Sequence, residues 1–235
     1  MDFVKLSDSQ EAVSSLAAEF ARKEILPNVE ALEKSGQYPM DIFKKAIQAG
    51  LLHLPVPEEF GGGAMGYLEF VMVTEKLSWA CSGVGAALSL NTMLCDAFLV
   101  GGNEAQKKKY LLRLTGGEVG AYGLTEPGAG TDAAGIQATA VKRGSKYILN
   151  GTKSWISNSP VAGFLVVFAK TDPAAGAKGI SAFIVERNTP GLRVGNALPK
   201  LGQKAFPAAE LFLENVEVAE ENRLGQEGEG LLNCF

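Results

Sequence analysis

Near residue 118 the hydrophobic period of the chain changes, and neither an all-helical nor an all-strand fold can take both halves. Before that point apolar residues recur at helical spacing. Ser7-x-x-Gln10 has the form of a capping box, and Val13, Leu16, Ala17, Phe20 and Ala21 then line one face until Pro27. A second short helix is predicted over 39–49, closed by Gly50 just past its end. Two more are expected over 67–79 and 84–100, and Asn103-x-x-Gln106 opens a fifth that runs to about Leu114. From Gly120 onward, short runs rich in β-branched and aromatic residues alternate with turn signals, at 135–142, 146–151, 163–171, 180–186, 192–197 and 208–214. Arg143-Gly-Ser145 is a hairpin-like turn, and 172–179 is a longer loop of small residues. Strands without intervening helices predict an antiparallel barrel or sandwich. The chain therefore reads as α+β: a helical domain over 1–118, a β domain over 119–225, and at 226–235 the opening of another helix.

Gross composition narrows the function by exclusion. A net charge of −4 provides no basic face for nucleic acid. The one basic run, Lys107-Lys-Lys109, falls in a predicted helix and reads as a solvated face. Residues 1–15 carry acids and serines where a signal peptide would need an apolar core, so none is expected. The most apolar stretch, 84–100, is interrupted by Ser89, Asn91, Thr92 and Asp96, and reads as a buried helix, with no membrane partner implied. Cys81, Cys95 and Cys234 are odd in number and widely spaced, which predicts a reducing compartment in place of a disulfide framework.

Only one histidine is present. His53 sits in the apolar run Leu51-Leu-His-Leu-Pro55 and reads as a packing residue; with scattered cysteines this leaves no zinc site, no Cys/His dyad and no Ser/His/Asp triad. Gly61-Gly-Gly-Ala-Met-Gly66 satisfies a literal G-x-G-x-x-G pattern, but it follows Pro55-Val-Pro57 and not a central strand, so it reads as a loop. Chemistry must then come from carboxylates, hydroxyls or a borrowed cofactor.

The densest signal is Tyr122-Gly-Leu-Thr-Glu-Pro-Gly-Ala-Gly-Thr-Asp132. It sets a hydroxyl, an acid and a proline turn directly before a small-residue loop. Gly128 and Gly130 are expected to take positive φ and let backbone approach a ligand, with Thr131 supplying a hydroxyl. Glu126 and Asp132 are read as loop-shaping acceptors of backbone hydrogen bonds. In Gly151-Thr-Lys-Ser-Trp-Ile-Ser-Asn158, Trp155 and Ser157 should share one face of a strand, a flat surface beside a donor that suits a planar heterocycle.

These two segments, followed in order by Lys200-Leu-Gly-Gln-Lys204, Ala209-Glu-Leu-Phe-Leu-Glu-Asn-Val216 and Asn222-Arg-Leu-Gly-Gln-Glu-Gly-Glu-Gly230, resemble the acyl-CoA dehydrogenase flavoprotein family. The wording Ala121-Tyr-Gly-Leu-Thr-Glu-Pro127 and the first ten residues are most similar to its short-chain, butyryl-CoA type. The resemblance implies FAD as cofactor and fatty acid β-oxidation as setting, by α,β-dehydrogenation of an acyl-CoA thioester with hydride transfer to flavin N5. It implies cofactor contacts from Tyr122, Leu124, Thr125, Gly130, Thr131, Trp155, Ile156 and Ser157, with Thr131 also reaching the substrate. Thr131 stands where the family usually has serine, and Ser157 where it usually has threonine. The family's catalytic base, a glutamate of a C-terminal helical domain, has no counterpart here, so truncation is expected and no catalytic residue is assigned. An electron-transfer flavoprotein as electron acceptor, a homotetramer for the full-length family, and a cytoplasmic or mitochondrial-matrix location follow from the same resemblance. A flavin-dependent oxidase or monooxygenase on this scaffold, or a non-catalytic flavin- or partner-binding fragment, stands as the alternative.

Overall fold

The computed structural model describes residues 5–232 and divides into two compact units. The first holds the residues up to Thr92 together with Thr115–Gly117 and Lys200–Phe206. The second holds Met93–Leu114, Glu118–Pro199 and the chain from Pro207 onward.

In the first unit, α1 (Asp8–Phe20) starts at the expected box: the Ser7 hydroxyl accepts the Gln10 amide and the Gln10 side chain accepts the Ser7 amide. Its inward face is Val13, Ala17 and Phe20. Pro27 cannot donate to an α-helical ladder, and there the helix passes through a wide π turn and a 3₁₀ turn. A short α2 (Val29–Ser35), not anticipated from the sequence, ends on Gly36 at φ +64°. α3 (Met40–Gln48) buries Ile42, Phe43 and Ala46, and Gly50 past its end takes φ +68° as expected. α4 (Tyr67–Ala80) packs along α1.

α5 (Ser82–Gly101) is long and apolar enough to cross a membrane by length and composition, but 61% of its most apolar window is buried. Val84, Leu88, Leu94 and Phe98 are core residues. α6 (Glu104–Thr115) begins with a reciprocal pair, the Asn103 amide bonding the Gln106 side chain and the Gln106 amide bonding the Asn103 side chain. Of the basic run on α6, Lys107 pairs with Glu104, Lys109 approaches Glu186, and Lys108 and Lys109 are exposed.

The second unit is built on one eight-stranded sheet: β1 (Gly120–Gly123), β2 (Thr139–Arg143), β3 (Lys146–Ser157), β4 (Phe164–Lys170), β5 (Ile180–Glu186), β6 (Leu192–Val194), β7 (Ala208–Ala219) and β8 (Arg223–Leu224). The strand order is β6-β7-β3-β2-β4-β5-β8, with β1 joined to β4 off this path. Most ladders are antiparallel as predicted, but the sheet is mixed. β1 runs parallel to β4, Gly120 opposite Phe164 through Gly123 opposite Val167, and Thr139 pairs in parallel with Lys170. Residues 124–163 intervene between β1 and β4, so no tight turn dictates the antiparallel sense.

β3 and β7 outrun their predicted lengths because the ladder absorbs register shifts between Leu149 and Gly151 and between Lys153 and Ile156. The apolar face of the sheet carries Ala121, Tyr147, Leu149, Ile156, Leu165, Phe183, Leu211 and Val216. The described part of 226–235 consists of turns in place of the expected helix, and it is tied to the sheet by Gly228 N to Ser181 Oγ at 2.9 Å and Gly230 N to Ile180 O at 2.8 Å. Cys234 lies outside the described residues.

Candidate functional site

Strand alternation places residues i and i+2 on one face. Lys153 and Trp155 break that rule: the Lys153 side chain is 0% exposed, whereas Trp155 is 56% exposed. The cause is the register shift between Lys153 and Ile156, where Trp155 takes φ +58°. A left-handed conformation is uncommon for a bulky residue and persists only where the surroundings fix it. Past the bulge the alternation resumes, with Ile156 buried and Ser157 half-buried beside the Ala208 register position of β7. Trp155 and Ser157 are thus both open to a ligand, and Ile156 is core.

The Tyr122–Asp132 motif begins on β1 and leaves the sheet after Gly123. Tyr122 stacks obliquely on Phe168, with ring centroids 4.7 Å apart. The carbonyl of Thr125 accepts the Ser154 amide at 2.9 Å, and the carbonyl of Leu124 accepts Lys153 Nζ at 3.1 Å. Two motifs separated by some thirty residues of sequence therefore meet as adjacent backbone, and the Tyr122, Leu124 and Thr125 segment stands beside the Trp155 bulge. With both carbonyls engaged by protein donors, the Leu124 and Thr125 amides and the Thr125 hydroxyl are the polar groups these residues can offer outward.

The loop that follows turns through Pro127-Gly128, with Glu126 and Ala129 exchanging both backbone hydrogen bonds at 3.0 and 3.1 Å. The expected positive φ at Gly128 and Gly130 is not found; the left-handed glycines lie elsewhere. With Pro127 and Gly128 as its central pair, the turn closes without a left-handed residue. A Cβ at either glycine would meet nothing within 4 Å, so the loop is open on that side and its backbone is approachable. Gly130 and Thr131 are exposed. Among the described residues no hydrogen bond ties them to Trp155 or Ser157.

Glu126 shapes this loop in the manner expected. Its carboxylate accepts the Gln137 amide at 2.6 Å and the Ala138 amide at 2.9 Å. It also pairs with Lys153 Nζ at 2.8 Å, with both side chains essentially buried. Burial holds the Lys153 ammonium below the usual lysine range, and its hydrogen bond and charge contact with Glu126 offset part of that. Asp132 departs from expectation: it is exposed, and its backbone carbonyl, not its carboxylate, accepts the Gly135 amide at 3.1 Å. Sequence reasoning missed Lys153 altogether. The available signal was a lysine inside a strand expected to line a barrel, which demands a buried partner.

The remaining sequence candidates resolve as structure. His53 is 1% exposed, bonds Asn91 through its ring and Thr92 through its amide, and is pushed down to about 4 by burial. The 61–66 loop folds back on 53–57, with amides 62, 63, 64 and 65 bonding carbonyls of Pro57, His53, Val56 and Leu54. A cleft of about 500 Å³ in the first unit is lined by Asn28, Leu32, Tyr38, Met40 and Lys45 among others, and none of the predicted site residues borders it. Among the described residues no three His, Cys, Asp or Glu side chains are grouped to hold a metal.

Residues 7–118 match the N-terminal domain of acyl-CoA dehydrogenases and residues 121–216 match their middle domain. The chain belongs to the acyl-CoA dehydrogenase family. A short-chain-specific acyl-CoA dehydrogenase of Clostridium acetobutylicum is 42% identical over 232 residues, 98% of this chain and 61% of that protein. The structure of butyryl-CoA dehydrogenase from Megasphaera elsdenii superposes with a TM-score of 0.92 at 38% identity, covering 100% of this chain and 62% of that one. An acyl-CoA dehydrogenase from Bacillus anthracis, solved in complex with FAD, gives a TM-score of 0.89 at 36% identity over 98% of this chain and 40% of that one. The chain thus spans roughly three fifths of the C. acetobutylicum and M. elsdenii relatives.

Proposed function

We propose that this chain carries the helical (1–118) and β (119–225) portions of an FAD-dependent acyl-CoA dehydrogenase, with its cofactor wall formed by Tyr122, Leu124, Thr125, Trp155 and Ser157. The observation that supports this most is the hydrogen bond from Ser154 to Thr125, which sets an outward-turned indole beside a short backbone segment with amides and a hydroxyl to offer. Those donors suit the polar edge of a flavin ring, and the indole suits its flat face. The open side of Gly128 and Gly130, next to the Thr131 hydroxyl, suits the approach of a pyrophosphate or thioester to main chain. FAD, when bound, supplies the hydride acceptor for α,β-dehydrogenation of an acyl-CoA thioester.

Ser157 has the role of holding a donor at the ring edge, where a hydrogen bond strengthens as negative charge accumulates. Trp155 fixes the ring plane and excludes water from that side. Acyl-CoA as substrate, a short acyl chain and an electron-transfer flavoprotein as acceptor follow from the family motifs and belong to the whole protein.

Titration of the chain with FAD tests the site directly. Trp155→Ala should weaken binding at least about tenfold, while Ser157→Ala should change it little. In a protein of the relatives' full length, Ser157→Ala should slow flavin reduction by roughly tenfold to a thousandfold, the range for one such donor or somewhat below it. Normal FAD affinity in Trp155→Ala together with an unchanged reduction rate in Ser157→Ala would reject this placement.

A further inference from the structure

We infer that Lys153, acting with Glu126, is a positioning residue that closes the neck of the 124–138 loop and holds it against the Trp155 bulge. What the wall faces rests on the flavin reading above; the strut itself does not.

Two observations and one general argument carry the inference. First, the contacts of this one pair reach both ends of the loop. Lys153 Nζ donates to Leu124 O at the exit from β1, and Glu126 accepts the amides of Gln137 and Ala138 just before β2. The segment 127–132, exposed except at Ala129, is thereby suspended from a fixed neck.

Second, the inward turn of Lys153 and the outward turn of Trp155 belong to the same bulge. A relaxed strand would return both side chains to one face, so the buried ammonium and its two acceptors hold the left-handed Trp155 in place. Third, a buried ion pair is seldom more stabilising than apolar residues of the same volume. What it adds is a specified set of partners, since a buried ammonium with three donors requires acceptors such as the Leu124 carbonyl and the Glu126 carboxylate, where a methionine would only fill space.

The test compares Lys153→Met with the double variant Lys153→Met/Glu126→Gln in the full chain. The single variant strands a buried carboxylate and can unfold on that account alone. The double variant removes both charges at nearly constant volume, gives up one of the two backbone amides that the residue 126 side chain accepts, and is expected to fold. Two readouts are taken on it. Hydrogen exchange at the Ser154 amide, whose hydrogen-bond acceptor is the Thr125 carbonyl and neither altered side chain, should rise at least tenfold while the amides of β4 stay protected. FAD affinity, by flavin fluorescence titration, should fall at least tenfold.

Wild-type exchange at Ser154 in a folded double variant overturns the strut. Raised exchange with unchanged FAD affinity overturns its role toward the cofactor. If the parent chain takes up no FAD, the flavin reading fails, while the exchange result still decides whether the pair holds the loop. A double variant that cannot fold would show that the pair serves the fold itself, and the inference would fall.

Discussion

Two glycine-rich loops in this chain look alike in sequence and differ in every physical respect. In the 61–66 loop the glycines are consumed by packing. Gly61 takes φ +80°, and a Cβ on Gly62 would lie 2.0 Å from the Val56 carbonyl oxygen. The neighbouring backbone is saturated with hydrogen bonds, and His53 beneath it is sealed from solvent. In the 126–132 loop, Gly128 and Gly130 need no left-handed conformation and face open space. A glycine that fills a crowded position serves the fold, whereas one beside open space leaves main chain within reach of a ligand. The pattern of glycines alone cannot tell the two apart; the free volume around them can.

The contrast can be broken by experiment, and the largest effect should come from the packed loop's histidine. Its pKa falls from the ordinary 6.5 to about 4 because burial disfavours the charged ring. As pH drops below about 6.5 the unfolded chain takes up a proton that the folded chain refuses, so stability is lost progressively and the loss levels off below about 4. The difference amounts to about 3 kcal/mol. Urea unfolding between pH 7 and 4 should show this slope in excess of His53→Gln, and equal slopes would place the ring in contact with solvent.

Gly62→Ala comes next. Forcing a methyl against the Val56 carbonyl should cost about 2 to 3 kcal/mol of unfolding free energy. A loss under about 0.5 kcal/mol would show that the loop gives way. The smallest effect belongs to the open loop: Gly128→Ala should leave stability within about 0.5 kcal/mol, the entropy of a stiffer unfolded chain acting in its favour. A drop of more than about 1 kcal/mol would mean the loop is as crowded as its counterpart.

Local features were legible in the sequence and non-local ones were not. Ser7 with Gln10, Asn103 with Gln106, Gly50 and the Gly144 turn act within three or four residues, and each is found as read. β1 was missed because a four-residue strand, Gly-Ala-Tyr-Gly, has little propensity of its own and depends on its distant partner β4. The parallel pairing of β1 with β4, in a sheet whose other long ladders are antiparallel as expected, went unread for the same reason. The two glycine- and tryptophan-bearing motifs were visible as motifs, but the bulge that aims Trp155 outward runs against the conformational preference of tryptophan, and only the structure reveals it. Lys153 went unnoticed because its partner lies 27 residues away and its burial follows from that same bulge.

The parallel pairing of β1 with β4 also dictates an order of events in time. Gly120–Gly123 has no sheet partner until Phe164–Lys170 exists, so β1 joins the sheet only after the local β2–β3 hairpin, although Lys153 and Ser154 on β3 can already hold the start of the loop it launches. Closing so long a loop before the pairing compensates is a slow step. During synthesis β1 is therefore paired only after the hairpin that follows it in the chain has left the ribosome.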